Sequence, residues 1–164
     1  MTLLRAKKMR YPAIATILIG ALLLANPTRA DDGISVIELA RGSVGLNGAP
    51  FRYPDGKPEI TVKKFVINPR EGEKVTLAEH CHPIPAGVYI RKGGLTVTDA
   101  SGSWTFREGD GIIDIMNVWH DAEFSEPTEL IVFYAGAVDM PLSVKKGSDS
   151  ELVKRCSHGL AGNL

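Results

Sequence analysis

Histidine and cysteine are both scarce in this chain, with four of the first and two of the second among 164 residues. Two cysteines cannot make the dense disulfide framework of a small secreted scaffold. A chain of this length has no need of one, because it can bury a sizeable apolar core. Cys81 and Cys156 lie far apart, and Cys156 sits in a polar C-terminal tail. Free thiols are therefore expected, although one bridge is chemically allowed in an exported protein. A convincing helical period is missing before the tail, as are internal repeats and low-complexity tracts. The length suggests one domain.

A basic patch is missing as well. The formal charge is zero, with 19 basic and 19 acidic residues, but the first thirty residues distort that balance. "MTLLRAKKMR" is basic without an acid, "YPAIATILIGALLLA" is an apolar run, and "NPTRA" ends in small residues before "DDG". Basic head, apolar middle and small-residue end are the layout of a secretory signal over residues 1–30. The apolar run falls short of the ~20 residues of a spanning helix. The rival is an uncleaved N-terminal anchor, and Met9 is a second candidate start. Removing Arg5, Lys7, Lys8, Arg10 and Arg29 leaves 14 basic against 19 acidic residues, a net charge of −5. A mildly acidic domain without a basic cluster argues against nucleic acid as a partner. The expected setting is periplasmic or secreted, with no membrane association once the signal is cleaved.

What the chain does have is a series of short strand-length runs punctuated by Gly, Pro and Asp. "ISVIELA" (34–40), "EITVKKFVI" (59–67), "KVTLAEHCH" (74–82), "GVYIRKG" (87–93), "LTVTD" (95–99), "SWTFRE" (103–108), "GIIDIM" (111–116), "DAEFS" (121–125) and "ELIVFYA" (129–135) are the candidates, with "DASGS" as a hairpin turn. Even spacing with turn chemistry between runs predicts an all-β, antiparallel sandwich or barrel over residues 31–147. "SDSELVKRC" (148–156) predicts one short helix in the tail 148–164, capped by Ser148 or Ser150, and its last residues are expected to be poorly ordered.

Two of the four histidines stand one residue apart in "EHCHP". Alternate side chains of a strand share a face, so His80 and His82 point one way and Cys81 the other. Two imidazoles on one face can grip a metal ion given a third ligand from elsewhere, and His120 in "GDGIIDIMNVWH" is the candidate. His158, in the tail, is a poor one. Two solvated histidines at a strand end beside Pro83 are the plainer alternative.

The stretch from about 75 to 136 resembles a small single-domain cupin. "HCHPIPAGVYIRKGG" carries the two histidines, the apolar run and the glycine of the first cupin motif, and "GDGIIDIMNVWH" places Gly109, Asp110 and His120 as in the second. The resemblance implies a double-sheet β-barrel of the jelly-roll type. It also implies a divalent transition metal (Fe, Mn, Zn, Cu or Ni) on His80, His82 and His120, a small-molecule ligand or substrate, and by analogy a homodimer. The departures are specific. The glutamate that binds metal in cupins falls at Ala86 or Gly87, which offer no ligand. The second motif's proline falls at Ile115, its glycine at Asn117 and its later asparagine at Phe124. In the family register Ile112 and Asp114 point into the barrel. Asp114 is then a fourth ligand, a partner orienting His82 or His120 or acting as a general base, or a solvated group at the mouth. Val88 and Ile90 should line the barrel, with Tyr89 and Arg91 outside. Trp119 is expected to pack at the rim, and Glu79 to face solvent.

Two functions follow from that site. One is a metal-dependent dioxygenase-like enzyme in which three histidines hold the metal and Asp114 handles protons. The other is a metal- or ligand-binding protein without turnover, which the lost glutamate favours. A structural barrel with an empty pocket stands behind both.

Overall fold

The computed structural model describes residues 33–148 and 151–157. The expected signal segment and His158 lie outside the described residues. From Ile37 onward the chain forms one compact unit built from two antiparallel sheets.

Among the described residues nine strands run in chain order: β1 (Pro58–Ile67), β2 (Val75–Cys81), β3 (Ala86–Lys92), β4 (Gly94–Asp99), β5 (Gly102–Arg107), β6 (Gly111–Ile113), β7 (His120–Phe124), β8 (Thr128–Ala137) and β9 (Val144–Lys145). One sheet has the order β1-β8-β3-β6 and the other β5-β4-β7-β2-β9. This is the double-sheet antiparallel architecture that the turn spacing and the cupin resemblance implied. Strand alternation sends Leu130, Val132 and Tyr134 of β8 inward to meet Ile90 and Ile112 from the same sheet. Leu95, Val97, Ala122 and Phe124 come from the facing sheet. Phe124 and Ile90 are fully buried and close one end of the core.

Turn chemistry sets the corners. The Asp99 carboxylate accepts the Ser101 and Gly102 N–H groups at 2.7 and 3.2 Å, closing the β4–β5 hairpin at the predicted place. Gly93 has φ +72°, and a Cβ there would stand 2.4 Å from the Pro127 carbonyl, so only glycine fits between β3 and β4. Asn117, where cupins carry glycine, takes φ 58°, the left-handed region that asparagine tolerates better than bulkier residues.

Three expectations are corrected. Residues 34–40 form no strand. Their apolar residues fall on both faces of an extended chain, so no single face selects a partner, and Ile37 and Leu39 are exposed. β6 ends at Ile113 rather than 116, where the chain leaves the ladder. The short helix expected in the tail is present as a 3-10 turn over Glu151–Arg155. And the thiols are not free: Cys81 and Cys156 form a disulfide. The tail returns to the barrel because Ser157 pairs along residues 117–119, its N–H donating to Asn117 O and its carbonyl accepting from Trp119 N–H, both at 2.9 Å. That brings Cys156 under β2. Cys81, Trp119 and Val144 form a small second core around the bridge, which is the packing role expected of Trp119.

Candidate metal centre

The three histidines meet because of a single irregularity in β2. Val75 lies opposite Phe124 and Leu77 opposite Ala122, but the next pair is His80 opposite His120. Three residues of β2 therefore face two of β7, which is a β-bulge. In unbroken alternation Val75, Leu77, Glu79 and Cys81 would share the inner face. The extra residue reverses the parity, so His80 and His82 turn inward and Cys81 turns to the opposite side, as the sequence predicts for the pair. His120 opens β7 and reaches the same spot from the neighbouring strand.

The ring centroids lie 4.4 Å apart for His80 and His120, 5.0 Å for His80 and His82, and 5.3 Å for His82 and His120. The candidate ligand atoms of the three lie within 4.8 Å of one another. Each ring is oriented by a backbone carbonyl at Nδ1: Ala78 O for His80 at 3.1 Å, Leu142 O for His82 at 2.7 Å and Val118 O for His120 at 2.9 Å. A carbonyl only accepts, so each Nδ1 carries the proton. In the neutral ring Nε2 then presents a bare lone pair. This is the supporting arrangement that metal-binding histidines require.

Asp114 lies just past β6, and its side chain is turned into the barrel, as expected. Its Oδ2 is 3.5 Å from His82 Nε2 and its Oδ1 3.9 Å from His120 Nε2. Oδ1 also accepts the Ile115 N–H at 2.8 Å, and the Asp114 N–H donates to Ala86 O at 2.9 Å. The loop before β1 presses on this segment. A Cβ on Gly45 would stand 2.7 Å from the Asp114 carbonyl, so glycine is required there. Ala86 and Gly87 sit in the β3 ladder, where the missing glutamate would have been.

Electrostatics favours neutral rings. Burial and the neighbouring His120 and His82 push His80 down to about 4, with Asp114 opposing. Burial likewise lowers His82, partly offset by Asp114. Burial, aided by the Asp114 charge, raises the Tyr134 phenol to about 12. Two imidazoles held neutral, beside a half-buried carboxylate, suit a divalent cation better than a proton. Nε2 lone pairs and carboxylate oxygens are all acceptors. Placed face to face, they fit a cation between them.

The histidines line one end of a cavity of about 640 Å³. Asp114 and Tyr134 share that end, and Tyr134 packs against His82 with centroids 5.7 Å apart. Val88, Val97, Ala122 and Val132 make the middle, and Phe65, Leu95, Phe124 and Leu130 the floor. Thr76 to Glu79 on the free flank of β2 form the mouth with Ser143, Lys145 and Lys146. Glu79 is not simply solvated, as expected, but holds Lys146 at 2.7 Å. Tyr134 could have been found from sequence, since it continues the inward parity of Leu130 and Val132. Lys145 and the Leu142 carbonyl could not, because the segment after β8 carries no periodic signal.

No protein-family model and no curated protein matches the chain. Solved structures do. An RmlC-like cupin from Shewanella frigidimarina is 20% identical, with 49% of this chain and 69% of that one covered and a TM-score of 0.41. Cupins are among its structural neighbours. The polyketide cyclase RemF from Streptomyces resistomycificus is 14% identical over 71% of this chain and 83% of that one, TM-score 0.44. The DMSP lyase DddQ from Ruegeria pomeroyi is 16% identical over 63% of this chain and 49% of that one, TM-score 0.42. These likenesses concern the fold alone, and fold does not fix function.

Proposed function

We propose that the protein is an exported metal-dependent oxygenase acting on a small, largely apolar molecule. Its divalent transition metal is held by His80, His82 and His120, and Asp114 serves as the proton-handling group. The observation that carries this reading is the set of three Nδ1–H groups locked on carbonyls, which leaves three Nε2 lone pairs bare, those of His82 and His120 facing the half-buried Asp114 carboxylate. Three imidazoles leave coordination positions open, and a metal there would supply Lewis acidity and a site for oxygen chemistry.

The residues of the chain do the rest. The carbonyls of Ala78, Leu142 and Val118 fix the rings. Asp114 lies within reach of a ligand placed against His82 and His120, and its carboxylate can take up or return a proton there. Tyr134, kept protonated by burial, is a hydrogen-bond donor at the same end. The apolar walls exclude water and select an apolar body. The disulfide supports an oxidising compartment, which fits the signal-like segment.

The test is elemental analysis of protein from its oxidising compartment beside a His82→Ala variant, followed by oxygen uptake. Wild type carrying about one equivalent of metal, lost in the variant, supports the centre. Equal metal in both sinks it. Iron- or manganese-loaded protein that binds small apolar ligands but never consumes oxygen with them points to a binding protein without turnover.

A further inference from the structure

The pocket has a layered order that the strand registers make explicit. His80, His120, Tyr134 and Asp114 form the top layer. Val97 opposite Ala122, and Val88 opposite both Val132 and Ile112, form the second. Phe124 opposite Val75, and Ile90 opposite Leu130, close the floor. From His120 to Phe124 the strand rises four residues, about 13 Å. Below the top layer no charged side chain lines the cavity.

The mouth adds a charge that the metal reading does not use. β9 pairs with β2 so that Lys145 is directly opposite His80. Cross-strand partners project to the same face with Cβ atoms about 5 Å apart, so the Lys145 side chain leaves the sheet beside a ligand histidine. Its neighbour Lys146 is neutralised by Glu79. Lys145 has no ion pair among the described residues. An exposed lysine alone calls for no partner. A lysine beside a divalent cation is different, because Asp114, the carboxylate facing His82 and His120, leaves a surplus of positive charge that a ligand can offset.

We propose that the ligand of this pocket is a small monocarboxylate with an apolar body. Its anionic head lies between Lys145 and the histidine cluster, and its body runs down towards Phe124 and Leu130. This rests on the histidines being a metal centre. A second carboxylate or a polyhydroxylated body fits poorly, because below the top layer the Thr76 hydroxyl is the one side-chain donor among the described lining residues, and most of the added polar groups would be buried without a partner. The depth suits a chain of about six carbons.

Hexanoate, hexanamide, acetate and adipate test this on cobalt-loaded full-length protein, with cobalt content read by elemental analysis and ligand binding by the visible cobalt spectrum. Hexanoate is expected to bind at least about five-fold more tightly than its neutral isostere hexanamide, and more tightly than acetate or adipate. Lys145→Met should weaken hexanoate about five-fold and leave hexanamide unchanged, and Lys145→Arg should restore it. The proposal is overturned if hexanamide matches hexanoate, if acetate matches it, or if Lys145→Met binds hexanoate as wild type does. Protein that takes up no cobalt fails at the metal centre and removes the proposal with it. Protein that takes up cobalt and ignores hexanoate leaves the centre standing and overturns only the carboxylate.

Discussion

His80 and His82 differ from solvated strand-end histidines in one measurable respect: burial keeps their neutral form. For His80 the folded value is about 4 against an ordinary 6.5. The sign follows directly. Below 6.5 the unfolded chain takes a proton that the folded ring refuses until about 4, so metal-free stability is full above 6.5 and falls as pH drops through that window. The loss is at most ~3 kcal/mol from His80, and the downward shift of His82 adds in the same direction. Thermal unfolding of chelator-treated protein should therefore show a melting temperature level from pH 8 to 7 and declining from 6.5 to 4. His80→Gln should flatten that decline; an unchanged slope would show that the ring is not buried neutral. Asp114 makes a second test at this scale. Asp114→Asn keeps the size and the acceptor for the Ile115 N–H but removes the charge facing His82 and His120. Metal affinity is expected to drop about ten- to a hundredfold with the fold intact, measured by competition with a coloured chelator. No change in affinity would place the carboxylate outside the centre.

At the scale of elements the decisive feature is the bulge in β2, since it lets one strand serve two faces. Val75 belongs to the apolar interior, yet two residues beyond Leu77 regular pairing would aim Glu79 inward and then Cys81. The sequence made the His-x-His pair legible, as it made the hairpin at Asp99 and seven of the nine strands nearly to the residue. It could not reveal the bulge, because a one-residue slip leaves composition and length unchanged and shows itself only against the partner strand. It could not reveal β9, two residues long and defined only by pairing with β2. It misread Cys156 because the tail's polarity hid a short pairing with residues 117–119. Deleting Ala78 tests the bulge. The shortened strand would pair regularly, with Leu77 and His80 two places apart opposite Ala122 and His120, so His80 and His82 stay inward and Cys81 outward. Metal binding and the disulfide should both survive, the first read by elemental analysis and the second by a thiol titration that finds no free cysteine. Loss of metal with the fold intact would show that the geometry of the bulge itself, and not the parity it sets, holds the rings.

At the scale of the whole molecule, one covalent link ties the C-terminal segment to the strand that carries two of the three clustered histidines. Cys81 lies between His80 and His82 in sequence, and Trp119 precedes His120, so the second core around the disulfide lies directly behind the three inward histidines. The bridge closes a loop of 75 residues, and in a chain-entropy account that constraint is worth on the order of 4 kcal/mol. It does more than stabilise. Without it the Glu151–Arg155 turn keeps only a few contacts to hold Ser157 against residues 117–119, and both β2 and the start of β7 lose their backing. Reduction should therefore cost metal affinity as well as stability. Cys156→Ser, with Cys81 left as a buried thiol, is expected to melt earlier by roughly ten degrees or more for a domain of this size and to bind metal more weakly, with faster metal release. Cys156→Ala separates packing from polarity, since it removes the hydroxyl that serine would bury there. If both variants melt earlier but release metal at the parent rate, the bridge is a staple for the fold alone, and the histidine geometry is held entirely by the bulge and the three carbonyls.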